Sequence, residues 1–137
     1  MAIAVETGDH VLLDTQAFLW WVGGEKPLPA TARNLVADEN TTVLFSLASV
    51  WEMSIKSGLG KLALPEPAAL FVQKQCRLNR FQLVPISMEA IGSVETLPHI
   101  HGDPFDRLLA AECLQLGVPI ISSDAVFGKY KVRRIWK

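Results

Sequence analysis

Four acidic residues, Asp14, Glu52, Asp106 and Asp124, each stand at the end of, or shortly after, an apolar run or a loop. Asp14 closes His10-Val11-Leu12-Leu13, and Glu52 follows Thr42-Val43-Leu44-Phe45-Ser46. Asp106 comes just after Gly102-Asp103-Pro104, and Asp124 comes after Val118-Pro119-Ile120-Ile121-Ser122. If the fold brings them together, they repel. Two such charges ~4 Å apart cost about 4 kcal/mol at intermediate dielectric. Either some protonate or a cation joins them. A donor set of oxygens, without His or Cys, suits Mg²⁺ or Mn²⁺ rather than zinc. Such an ion activates a bound water and neutralises charge on a phosphate oxygen. Carboxylates, a hard ion and a phosphodiester therefore belong together chemically.

Each acid also has a structural reading. Asp103 followed by Pro104 is a good N-cap and first-turn pair, which places Asp106 where an acid favours the helix dipole. Asp14 and Asp124 can each cap a following helix. Glu52 stands four residues before Lys56, an ion-pair spacing on a helix. What favours a site over four separate structural roles is their joint placement at successive strand ends.

The elements that must position them alternate. Strands are expected at His10–Asp14, Thr42–Ser46, Phe81–Pro85 and Val118–Ser122, with a fifth at an edge over Val132–Trp136. Helices are expected from Thr15 to Val22, stopped by Gly23-Gly24, and from Pro29 to about Glu39. Further helices are expected over Leu47–Leu59, Ala68–Asn79, from an N-cap at Ser87 to about Glu95, and over Pro104–Leu116 with Gly117 as C-cap. Leu47, Trp51 and Ile55 share one face of their helix. Apolar strands without alternation argue a parallel sheet covered on both faces. In such sheets ligands bind beyond the carboxyl ends of the strands.

The 137 residues fit one domain, read as a short extension over residues 1–10 and a single unit over 11–137. Half the residues are apolar, enough for a real core. No run of about 18 apolar residues is present, so no membrane span is expected. The first ten residues do not read as a secretory signal. Cys76 and Cys113 form neither a metal spacing nor a disulfide framework, and a reduced, cytoplasmic protein is expected.

The net charge of -1 excludes a globally basic nucleic-acid binder. Lys129, Lys131, Arg133, Arg134 and Lys137 nevertheless crowd the last nine residues. They read either as a phosphate-binding tail or as an edge strand blunted by cations. Gly58-Leu59-Gly60-Lys61 lacks the spacing of a phosphate loop, and a dinucleotide fingerprint lacks its third glycine. His99-Ile100-His101 is half a zinc site at most, and His101 is placed at the border of the acidic set. Trp20 and Trp21 cannot both face inward on one helix, so one is expected at a protein–protein surface.

The segments Leu13-Asp14-Thr15, Ser49-Val50-Trp51-Glu52, Asp103-Pro104-Phe105-Asp106-Arg107-Leu108-Leu109-Ala110-Ala111 and Ser122-Ser123-Asp124 resemble the PIN-domain nucleases. More narrowly, they resemble VapC-type toxins of bacterial toxin–antitoxin pairs. The resemblance runs from about Val11 to Trp136. It implies a three-layer α/β/α sandwich with a central parallel sheet of four or five strands. It implies endoribonuclease activity dependent on Mg²⁺ or Mn²⁺, with 5′-phosphate and 3′-hydroxyl products. The family's four acids fall on Asp14, Glu52, Asp106 and Asp124, with Asp14 and Asp106 as direct metal ligands. Ser122 matches a small hydroxyl residue beside the site, and Asp103 is an additional acid, read as N-cap first. Lys56 and Arg107 are candidates for substrate phosphates or for pairing with Glu52 and Asp106. The implied partners are an RNA substrate, a cognate antitoxin that puts a basic side chain into the acidic pocket, and a second copy in a homodimer.

Two other readings compete. A receiver-like phosphoacceptor needs an Asp at the end of the third strand, where this chain has Val84-Pro85. A non-catalytic module that only binds an antitoxin or RNA has no need of four acids.

Overall fold

A computed structural model describes residues 9–24 and 26–137. Residues 1–8, most of the expected N-terminal extension, lie outside the described residues. His10 opens the first strand.

The strands are β1 (His10–Leu13), β2 (Thr42–Ser46), β3 (Gln82–Val84), β4 (Ile120–Ile121) and β5 (Arg134–Ile135). The helices are α1 (Thr15–Gly23), α2 (Ala30–Ala37), α3 (Leu47–Gly58), α4 (Ala68–Asn79), α5 (Met88–Val94), α6 (Pro104–Leu116) and α7 (Val126–Lys129). The strands form one sheet in the order β3-β2-β1-β4-β5, and every pairing is parallel. Leu12 of β1 stands between Leu44 of β2 and Ile120 of β4.

Side chains alternate across a strand, so each strand feeds two cores. Val11, Leu13, Val43, Phe45 and Ile121 point to one face, where Phe18 of α1, Val36 of α2 and Phe71 and Val72 of α4 cover them. Leu12, Leu44 and Ile120 point to the other, under Ala90 of α5, Leu109 and Ala110 of α6 and Phe127 of α7. Helices therefore cover both faces, and the molecule is the expected three-layer α/β/α sandwich with five strands. Phe18 stacks on Phe45 at 4.1 Å between ring centres. Removing either ring from this fully buried position would cost about 3–5 kcal/mol.

Local signals set most boundaries. Gly24 and Gly117 adopt left-handed conformations (φ 69° in each) just past α1 and α6, which an L side chain disfavours. Ser46 and Ser87 cap α3 and α5 through their hydroxyls. Cys76 and Cys113 are buried and unpaired with each other.

One expectation about aromatic residues changes. Trp20 and Trp21 are both half-buried against the first core, and neither stands alone at the surface. Trp20 packs on Trp136 at 5.7 Å, while the Trp21 indole N–H donates to Asn79 Oδ1 at 2.9 Å. One helix accommodates both because each uses a different flank. The face of α3 carrying Leu47, Trp51 and Ile55 is turned to solvent, with Trp51 55% exposed. Trp51 meets Phe105 in a T-shaped pair, at 5.1 Å between ring centres. The buried side of α3 is instead made by Ala48, Ser49, Glu52 and Met53.

Of the described residues, no helix is long and apolar enough to cross a membrane.

Candidate active site

The strand order reverses direction between β1 and β4, which are neighbours although β2 and β3 intervene in the chain. Crevices at such points, beyond the carboxyl ends of the strands, receive ligands in open parallel sheets. Asp14 follows β1 and Ser122 follows β4, so both enter this crevice. Glu52 comes from the second turn of α3, and Asp106 from the first turn of α6. The result is a cleft of about 420 Å³ lined by Asp14, Glu52, Asp103, Asp106 and Asp124, with Lys56 and Lys61 among its other residues.

Asp14 is held at the strand–helix junction. Its backbone N–H donates to Ile121 O at 3.1 Å, and its Oδ1 accepts the Ala17 N–H at 2.7 Å. The capping role read from the sequence is therefore real, and it aims the carboxyl into the cleft. Only 8% of Asp14 is exposed. Burial pushes its pKa up from 3.8 to about 6, and the nearby Asp106 and Glu52 charges add to this. Hydrogen bonds from Ser122 and Ala17 partly oppose the shift.

Ser122 is fully buried and joins two of the acids. Its hydroxyl is a partner of Asp14, and its Oγ accepts the Asp124 N–H at 3.0 Å. Asp124 stands at the exposed rim, where its Oδ1 accepts the Val126 N–H at 2.9 Å.

Glu52 has both oxygens engaged. Oε1 accepts the Thr15 hydroxyl at 2.7 Å, and Oε2 pairs with Lys56 Nζ at 2.7 Å. Thr15 Oγ1 also lies 2.8 Å from Ser49 Oγ. A hydroxyl carries one proton and a carboxylate only accepts, so Ser49 donates to Thr15 and Thr15 to Glu52. Thr15 and Ser49 are site residues that the acid pattern alone does not reveal. Their signal is position: Thr15 directly follows one acid, and Ser49 stands three before another. The Lys56 pKa is raised, chiefly by its hydrogen bond to Glu52, so the ammonium stays charged.

Asp106 Oδ2 lies 3.0 Å from His101 Nε2. Burial again pushes the Asp106 pKa to about 6, with the Asp103 charge adding and His101 opposing. Asp103 caps α6 by accepting the N–H groups of Phe105 and Asp106 at 2.8 and 3.2 Å. Its carboxyl is nonetheless within 4.8 Å of potential ligand atoms on Asp106 and His101. Asp103 is therefore both cap and cleft acid. The loop before α6 folds His101 onto Asp106, so a ring nitrogen stands at the border of the acidic set.

Arg107 is not brought to the cleft, and it pairs neither with Asp106 nor with anything at the rim. It is buried, and its guanidinium donates to the carbonyls of Val94, Leu97 and Pro98 and to the Tyr130 hydroxyl. The reason is helical geometry: Arg107 is one position, about 100°, around α6 from Asp106 and so faces α5. There it satisfies the last carbonyl of that helix, Val94, and those of Leu97 and Pro98 in the segment that follows.

A larger cavity, about 510 Å³, opens at the opposite edge of the sheet, beside His10, Pro119 and Arg133. Its two acids, Asp9 and Asp38, are exposed. It lacks the buried, convergent carboxylates that distinguish the cleft.

The chemistry of the cleft fits a hard divalent cation. Carboxylate oxygens from four separate segments of the chain converge, and those of Asp14 and Asp106 are disfavoured as anions by burial and by neighbouring carboxylates. A divalent ion would relieve that repulsion and is matched by oxygen donors.

Comparison with known proteins agrees with the fold. The model of the PIN domain family matches residues 11–132. The chain is 40% identical over 57 residues to ribonuclease VapC16 of Mycobacterium tuberculosis (strain ATCC 25618 / H37Rv). That match covers 42% of this chain and 39% of the relative, so well under half of the relative's length is spanned. Among solved structures, VapBC2 from Rickettsia felis, bound to a DNA fragment from its promoter, superposes with a TM-score of 0.68 at 15% identity, covering 93% of this chain and 99% of that one. VapBC-1 from nontypeable Haemophilus influenzae gives 0.68 at 13%, covering 92% and 96%. With its sheet order, its crevice and a family match over nearly its whole length, the chain belongs to the PIN domain family.

Proposed function

We propose that this protein is a metal-dependent endoribonuclease and the toxin of a toxin–antitoxin pair, with residues 11–137 acting as one unit. The observation that carries the reading is the convergence of Asp14, Glu52, Asp106 and Asp124 in one cleft, with Asp14 and Asp106 held near pKa 6. The ribonuclease named among its relatives, and the VapBC complexes among similar folds, support it.

Asp14 and Asp106 would hold Mg²⁺ or Mn²⁺, with Glu52 and Asp124 supporting and Asp103 beside them. Bound there, the ion would supply Lewis-acid stabilisation of a phosphate oxygen and lower the pKa of a water. The chain's own residues arrange the rest. Thr15 and Lys56 fix Glu52 from both sides, so its carboxylate is oriented before substrate arrives. Ser122 ties Asp14 to the Asp124 loop. His101 holds Asp106 and can carry a proton at Nε2. Lys56 and Lys61 place positive charge on a rim of an otherwise anionic cleft, where a flanking phosphate would sit. Scission at phosphorus would leave 5′-phosphate and 3′-hydroxyl ends.

A cytoplasmic protein with a cognate antitoxin follows from this role. A basic side chain of that antitoxin, an arginine by its planar fork, would enter the acidic cleft and displace or crowd the ion. The exposed stripe of Leu47, Trp51, Ile55 and Leu59 on and after α3 gives a second copy an apolar surface to bury.

The test is cleavage of structured RNA by purified protein with Mn²⁺ or Mg²⁺. Wild type should cut and chelator should stop it, while Asp106→Asn should fold and not cut. Cleavage indifferent to chelator removes the metal mechanism. A folded wild type that cuts no RNA tested favours a module that only binds. Sequencing the RNA ends after induced expression reads the target, and light scattering reads the dimer.

A further inference from the structure

The basic tail that reads as one cluster in the sequence is divided by the fold. Arg133 precedes β5 and lines the cavity at the amino edge of the sheet, with His10 and Pro119. Arg134 and Lys137 belong to the other end. With Ser123 and Trp136 they line a separate groove of about 430 Å³. Ser123 also lines the acidic cleft, so the cationic groove and the cleft share a wall.

Arg134 is anchored to the same loop. One of its Nη atoms donates to Ser122 O at 3.2 Å, and this is its single hydrogen bond among the described residues. Its side chain is exposed, so the remaining guanidinium donors face the groove. Lys137 is exposed and makes no ion pair among the described residues. Trp136 is half-buried and braced against Trp20, which makes it a fixed aromatic wall.

An anionic cleft repels the polyanion it is to cut. A strand crossing it needs cationic contacts on either side of the scissile phosphate. Lys56 and Lys61 provide them on one side. We propose that Arg134 and Lys137 form the landing site on the other side, binding the backbone phosphate next to the scissile one on a single RNA strand. Two cations beside an aromatic wall match a nucleotide chain, whose phosphates take the charges while a base meets the ring. The inference rests on the ribonuclease reading.

The experiment is binding of a 5′-fluorescein oligouridylate of about ten nucleotides, followed by anisotropy in an Asp106→Asn background that prevents cutting. Lys137→Gln should weaken binding about 3- to 10-fold. Adding Arg134→Gln should weaken it further and lower the salt dependence of log affinity by about 1–2. Arg133→Gln, at the opposite edge, should leave both unchanged. In the active background the Lys137 variant should raise KM and leave kcat within about twofold. Because Arg134 also holds the Ser122 carbonyl, thermal melts accompany each variant, and Lys137→Gln alone suffices if the double variant unfolds. If the Lys137 variant binds as tightly as its parent, while the wild type cuts RNA and Asp106→Asn does not, the landing site is wrong and the nuclease reading stands. Equal losses from Arg133→Gln also overturn it, by showing general charge attraction. If the Asp106→Asn parent does not bind RNA and the wild type does not cut it, both readings fall together.

Discussion

Thr15 and Glu52, 37 residues apart in the chain, are joined by a 2.7 Å hydrogen bond that ties the start of α1 to the second turn of α3. It leaves Glu52 with Thr15 on one oxygen and Lys56 on the other. Thr15→Val keeps the shape and removes the donor. We expect RNA cleavage to fall about tenfold and stability to fall by ~1 kcal/mol. Thr15→Ser should restore most of both. Initial-rate assays and urea unfolding read the two effects, and a Thr15→Val protein that cuts like wild type would remove the orienting role.

Asp14 and Asp106 both titrate near 6 in the folded protein, against 3.8 for an ordinary aspartate. The folded state therefore binds more protons than the unfolded chain between these values, and metal-free stability falls as pH rises through that window. Asp14→Asn removes one buried charge and keeps an oxygen for the Ala17 N–H. In chelator at pH 7.5 this variant should be more stable than wild type by ~2 kcal/mol, and at pH 4 the gain should vanish. Unfolding curves at both pH values check this. An Asp14→Asn protein less stable than wild type at pH 7.5 contradicts the burial argument.

Divalent ions should have the opposite effect on wild type. Millimolar Mn²⁺ or Mg²⁺ at pH 7.5 should raise Tm, since a ligand of the folded state stabilises by mass action. Asp106→Asn should lose most of that rise. Calorimetric titration gives the number of ions bound. A Tm rise that survives both Asp14→Asn and Asp106→Asn would place the ion elsewhere.

Arg107 should prove structural. Arg107→Gln strands the carbonyls of Val94, Leu97 and Pro98, and a loss of about 2–4 kcal/mol is expected. Any fall in activity should track the unfolded fraction. A variant of unchanged stability with lost cleavage would return Arg107 to the substrate.

The exposed ring of Trp51 should contribute little to the fold of one chain. Trp51→Ala should cost about 1 kcal/mol or less, through its contact with Phe105. Trp51→Glu should lower the mass seen by light scattering from that of a dimer to that of one chain. A single-chain mass in wild type would remove the homodimer.

Local rules determined much of this protein from its sequence alone. Apolar runs placed the strands, Ser87, Asp103 and Gly117 marked helix ends, and acids after strand runs marked the crevice. These features were legible because each depends on neighbours a few residues away. The outward face of α3 was not, since Leu47, Trp51 and Ile55 have helical spacing whether that face meets a core or water. Nor was the fate of Arg107, because a guanidinium beside an acid in sequence lies about 100° from it on a helix. Tertiary structure alone folded His101 onto Asp106, put Thr15 against Glu52, and sent Arg133 and Arg134 to opposite edges of the sheet. Thr15 and Glu52 meet because the parallel sheet and its crossovers bring their segments together, the loop before α6 turns His101 back onto Asp106, and the pairing of β5 with β4 parts Arg133 from Arg134.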